Sequence, residues 1–98
     1  MVELTGKYLL TSNRESGFGR YDVMLEPVEP EKDDGIILEF KVFQPRKEKS
    51  LEDTVETALK QIEDKKYETW LMTRGIPAER IHKYGLGFKG KEVLIDGR

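Results

Sequence analysis

Polar and apolar residues alternate over Arg20 to Leu25, with Tyr21, Val23 and Leu25 on one side and Arg20, Asp22 and Met24 on the other. That period of two predicts a strand. Tyr8 to Glu15 predicts an earlier one, with Tyr8, Leu9 and Leu10 as its apolar part, and Ser16-Gly17-Phe18-Gly19 reads as the turn between them. Pro27 to Asp34 is acidic and holds two prolines, so a solvated loop is expected. The third predicted strand, Gly35 to Phe43, is almost wholly apolar and ends before Pro45. Successive strand side chains point to opposite faces, so Ile36, Leu38, Phe40 and Val42 share one and Ile37, Glu39, Lys41 and Phe43 the other. Buried charges are costly unless paired. Glu39 and Lys41 therefore read either as a half-exposed ion pair, worth under about 1 kcal/mol, or as an active-site pair at the end of a core strand.

Periodicity then changes. Ser50 is a good N-cap, Asp53 takes the capping-box position, and Gly75 and Pro77 mark a stop, which predicts a helix from Ser50 to Arg74. At about 100° per residue, Val55, Ala58, Leu59, Ile62 and Trp70 form its buried stripe. Tyr84, Leu86 and Phe88 alternate with Gly85 and Gly87 in a fourth strand, where the glycines imply close approach by another strand or a ligand. Lys89-Gly90 turns into a last strand, Lys91 to Asp96. Trp70 and Tyr84 are expected in the core. The fold class is α/β (α+β): a mixed five-stranded sheet in the order β-β-β-α-β-β, an antiparallel meander followed by a right-handed crossover to a parallel strand. One helix covers only one face of such a sheet. The other face is expected to need a partner chain, a second copy in a homodimer, or a further piece of a parent protein.

Composition narrows the function classes. The 98 residues fit one small domain, 1–98, with 37% hydrophobic and 37% charged residues. A net charge of −2 is not that of a globally basic nucleic-acid binder, so contact with phosphate would rest on a local cluster or a metal ion. Without cysteine there are no disulfides, thiolate nucleophiles or cysteine-ligated metals. No apolar stretch approaches a membrane span and no signal-peptide core is visible, so a cytoplasmic location is the default.

Adjacent strands lie about 4.8 Å apart, so Asp22 and Glu39 can converge on one divalent cation if their register and faces agree. Magnesium or manganese suits oxygen ligands of this kind. Such an ion lowers the pKa of water and shields charge on a phosphoryl group. Lys41, on the face of Glu39, would orient water or stabilise the transition state.

Gly19-Arg20-Tyr21-Asp22, Ile37-Leu38-Glu39-Phe40-Lys41 and Ala58-Leu59-x-Gln61-Ile62 together resemble the PD-(D/E)xK, or restriction-endonuclease-like, nuclease superfamily. The likeness is greatest to bacterial domains of this kind found C-terminal to AAA-type ATPase-like domains. It extends through Ser12 to Gly17, Tyr67, Gly85 to Phe88 and Lys91. The resemblance implies metal ligation by Asp22 and Glu39 with the Phe40 carbonyl as a further ligand, catalysis by Lys41, and an auxiliary role for Gln61 near the metal or phosphate. Lys65 lies beside Gln61 at i+4. The Gln-x-x-x-Tyr pattern of some relatives is not reproduced, because Tyr67 is six residues after Gln61, and Tyr67 reads as packing. The superfamily core begins with a helix. Only Met1 to Lys7 precede the first predicted strand, so the chain is expected to be a piece of a longer protein, a core lacking its first helix, with Glu15 the nearest acidic substitute.

Plainer roles stand beside these. Asp22 could cap turn amides, Gln61 could be a flank residue with no task, and Arg14 and Arg20 could grip phosphates or pair with Glu15 and Asp22. His82, the sole histidine, reads as a surface residue, and Arg46-Lys47-Glu48-Lys49 as a solvated loop able to rest on a nucleic-acid backbone. The leading expectation is metal-dependent phosphodiester hydrolysis of nucleic acid. The other is a catalytically inactive interaction or regulatory module of a larger ATPase-containing protein.

Overall fold

The computed structural model describes residues 2–4, 6–15, 20–64 and 67–97, with the backbone alone at 2–4, 13–15, 20 and 64. Its strands are β1 (Val2–Leu4), β2 (Tyr8–Glu15), β3 (Arg20–Pro27), β4 (Gly35–Val42), β5 (Ile81–Lys89) and β6 (Glu92–Gly97). Helices α1 (Leu51–Asp64) and α2 (Tyr67–Thr73) join β4 to β5, and Ala78–Arg80 forms a short 3-10 turn. The strands lie in sequence order in one sheet, and β4–β5 is its parallel pair. All five expected strands are present in the expected directions. β1 adds a sixth at the edge, pairing Val2 with Leu10; three residues are too few for alternation to reveal. The turn expected at Ser16 to Gly19 falls outside the described residues.

Met24, Ile37, Val55, Leu59, Ile62, Leu71, Ile76 and Ile81 form the core between the helices and one sheet face. The glycines of β5 exist for α1. A Cβ on Gly85 would stand 2.9 Å from the Val55 carbonyl oxygen and 3.0 Å from Leu59 Cγ. One on Gly87 would meet Thr54 Cγ2 at 3.1 Å. The close neighbour is thus the crossover helix, not another strand or a ligand. At the start of α1, Asp53 Oδ2 accepts from the Lys49 amide at 2.9 Å, one residue ahead of the expected capping-box partner.

The single helix expected from Ser50 to Arg74 is instead two helices, on either side of residues 65–66, and they do not share one phase. Continued from Val55 at about 100° per residue, Leu71 would point about 160° away from the core, yet Leu71 is fully buried and Trp70 is 45% exposed. Trp70 is therefore not a core residue. Tyr84 is not one either; it stands exposed on the face that the helices leave open, with Tyr21, Val42, Val93 and Ile95. There Tyr21 stacks on Phe40 at 4.5 Å between centroids, and Phe40 on Phe88 at 6.1 Å.

The acidic loop after β3 is stapled rather than free. Arg80 donates to the Pro30 and Asp33 carbonyls and to Asp34 Oδ1, and half-exposed His82 lies 2.8 Å from Asp34 Oδ2. These hydrogen bonds, His82 first, hold the Asp34 carboxyl below its usual range.

Candidate active site

Strand parity and register build the site. In β3, Asp22 shares the face of core Met24, and in β4 Glu39 and Lys41 share that of core Ile37. Antiparallel pairing sets Asp22 directly opposite Glu39, which brings their Cβ atoms to about 4.5–5.5 Å. Both carboxylates are fully buried. The half-exposed reading of the Glu39–Lys41 face is thereby overturned, because the helices cover it and Lys41 is buried as well.

Each side chain has found company. The Tyr67 hydroxyl, on α2, donates to Asp22 Oδ1 at 2.6 Å. Four residues further along the same face of β3, buried Glu26 accepts from Trp70 Nε1 at 3.0 Å and Arg74 Nε at 2.9 Å. Tyr67, Trp70 and Arg74 recur at helical spacing, so α2 and the turn after it are fastened to a row of β3 carboxylates. Tyr67 thus both packs on the core and reaches the acidic pair, a polar tip on an apolar body. Its place in the sequence after Gln61 was the available signal, and fixed helical spacing concealed it.

Lys41 Nζ donates to Glu48 Oε2 at 2.5 Å. Glu48 Oε1 in turn accepts from the Gln44 amide at 2.8 Å and from Thr54 Oγ1, in the first turn of α1, at 3.0 Å. Glu48, 7% exposed, is therefore no part of a solvated charge run, while Arg46, Lys47 and Lys49 around it are exposed. Burial alone would raise the Glu48 pKa, but hydrogen bonds from Lys41, Gln44 and Thr54 and the lysine charge outweigh it and hold the carboxyl below its ordinary range. The sequence signal was slight: one acid among three cations.

The remaining candidates are placed less closely. Gln61 is half-buried on α1 beside core Ile62. The Phe40 ring belongs to the open-face stack, with its backbone between Glu39 and Lys41. By register Arg20 stands level with Lys41, and Arg14 with Tyr21; their side chains, and all of Lys65, lie outside the described residues. A cleft of about 520 Å3 beside the start of α1, lined by Lys49, Ser50, Leu51, Glu52, Lys89 and their neighbours, includes none of these candidates.

Two carboxylates level on one face are the hard oxygen donors that Mg2+ or Mn2+ prefers, each ion taking one or two carboxylates with water. The donor set fits such an ion. Among the described residues no group of three or more His, Cys, Asp or Glu side chains could hold a metal, so water, backbone or substrate oxygens would complete the shell.

The family model described as the PD-(D/E)XK nuclease superfamily matches residues 1–97. No curated protein and no solved structure matches the chain.

Proposed function

From the premise that this chain belongs to the PD-(D/E)XK nuclease superfamily, we propose that it is a metal-dependent nuclease domain that hydrolyses phosphodiester bonds of nucleic acid. The carrying observation is the register that seats Asp22 against Glu39 on the buried face, with Lys41 two residues along the same strand face. Asp22 and Glu39, with the Phe40 carbonyl, hold Mg2+ or Mn2+. When bound, the ion supplies positive charge that acidifies water and shields the phosphoryl oxygens. The Lys41 ammonium orients the attacking water and stabilises charge on the phosphoryl oxygens. Gln61 attends the metal or phosphate, and Arg14, Arg20 and Lys65 grip the flanking backbone. In hydrolysis the water oxygen bonds to phosphorus, the bridging oxygen leaves and takes a proton, and a phosphate monoester and a hydroxyl result.

A second reading has its own support. Asp22 and Glu39 are sealed from solvent and Lys41 is held in an ion pair, which suits an inactive interaction module of a larger cytoplasmic, ATPase-containing protein. One pair of measurements separates the two. Titration with Mg2+ or Mn2+ is expected to shift the amide resonances of Asp22 and of Glu39 to Lys41, and cleavage is expected to vanish in a folded Lys41→Ala variant. No resonance change at millimolar metal, together with no cleavage of DNA or RNA, would leave the module.

A further inference from the structure

Two buried acids have no part in the reaction as proposed: Glu26, which fastens α2 and the turn after it, and Glu48. We propose that Glu48 is a positioning residue, fixing the Lys41 ammonium in the direction that hydrolysis requires; the inference rests on the nuclease reading. A lysine head is a compact charge on a long flexible stem, and placing it costs side-chain entropy. Here one of its three N–H directions is taken by Glu48 Oε2. Glu48 itself cannot swing aside, because Oε1 is filled by the Gln44 amide on one side and Thr54 Oγ1 on the other. A backbone amide and the first turn of a helix thus clamp the acid that clamps the lysine.

Stability alone does not account for this. Replacing a buried ion pair by apolar residues is often neutral or stabilising, so such a pair is a poor device for holding a fold. It is a good device for fixing geometry, and this one sits two residues from Glu39 on the same strand face. Three exposed cations, Arg46, Lys47 and Lys49, stand nearer to Glu48 along the chain, yet the acid turns inward to Lys41. The site is also exacting toward amides. Glu48→Gln would keep the shape, but its NH2 group must face the Lys41 ammonium or the Gln44 N–H, both donors.

The test uses the full 98-residue chain as wild type, Glu48→Gln, Thr54→Val, Lys41→Arg and the double variant Lys41→Arg/Glu48→Gln. Each is checked for folding by circular dichroism, then assayed for Mg2+-dependent cleavage of a supercoiled plasmid and of single-stranded DNA and RNA oligonucleotides. Glu48→Gln is expected to lose about 10–100-fold in kcat with little change in KM, and Thr54→Val a smaller factor in the same direction. In the Lys41→Arg background, where the head is already displaced, Glu48→Gln is expected to cost no more than about twofold further. A merely structural Glu48 would lower the melting temperature and leave kcat per folded molecule unchanged. That result, or an equal loss in both backgrounds, overturns the proposal. A wild-type chain that neither binds Mg2+ nor cleaves any substrate overturns the nuclease reading first, and Glu48's role with it.

Discussion

Tyr67→Phe separates what the acidic pair gains from its cover and what it loses. The change removes one oxygen and keeps the ring that packs on the core. It deletes the 2.6 Å hydrogen bond to fully buried Asp22. Hydrogen bonds to charged groups contribute about 1.5–3 kcal/mol, and in a domain of this size each kcal/mol moves the melting temperature by about 4–8 °C. The expected loss without metal is therefore about 6–24 °C, read by circular dichroism. The proposed site predicts the opposite sign for Mg2+. With no hydroxyl on Oδ1, Asp22 is freer to bind the ion, so added Mg2+ should raise the melting temperature of the variant more than that of the wild type, by the mass action of a ligand that binds only the folded state. An unchanged melting temperature without metal would refute the hydrogen bond as a stabilising contact. An equal Mg2+ response in both proteins would refute competition between Tyr67 and a cation for Asp22.

Gly85→Ala should destabilise by about 1–3 kcal/mol, since its Cβ would stand 2.9 Å from a backbone oxygen of α1 that cannot move alone; urea melts would detect this, and an unaltered midpoint would mean that α1 sits further from β5. Leu71→Ala should cost about 2–5 kcal/mol and Trp70→Ala less, the reverse of what one continuous helix implies; the same melts rank the two. The Glu48 carboxyl is held below its ordinary value of 4.5, so its contribution to stability is complete above that value and is lost as pH falls through the lower folded one. Thermal melts from pH 7 to pH 3 should therefore show a smaller acid-induced drop for Glu48→Gln than for wild type, and parallel curves would count against the Lys41–Glu48 pair.

The sheet was legible because a period of two is a local signal: the parity of Asp22 with Met24, and of Glu39 with Ile37, can be read directly from the chain. The face they share being buried followed less directly, since Glu39 and Lys41 looked equally at home half in water. What stayed hidden was non-local. The partner of Lys41 comes from a loop whose other charges are exposed, and nothing in Arg46-Lys47-Glu48-Lys49 says which side chain turns inward. Trp70 lies outside the core because α2 does not continue the phase of α1, a mismatch that no local periodicity reveals. The spacing of Tyr67 from Gln61 says nothing of Asp22, because that contact is set by where α2 lies on β3.

Thr54 faces two ways: its methyl group abuts the bare Cα of Gly87 while its hydroxyl holds Glu48. A methyl group added at position 87 would therefore act like a shim under a lever, its thickness passed through Thr54 to Glu48 and so to the Lys41 ammonium. Gly87, the register partner of Lys41 on the neighbouring strand, is thus constrained by the packing of Thr54, and a survey of tolerated residues at position 87 would read out the alignment of Lys41.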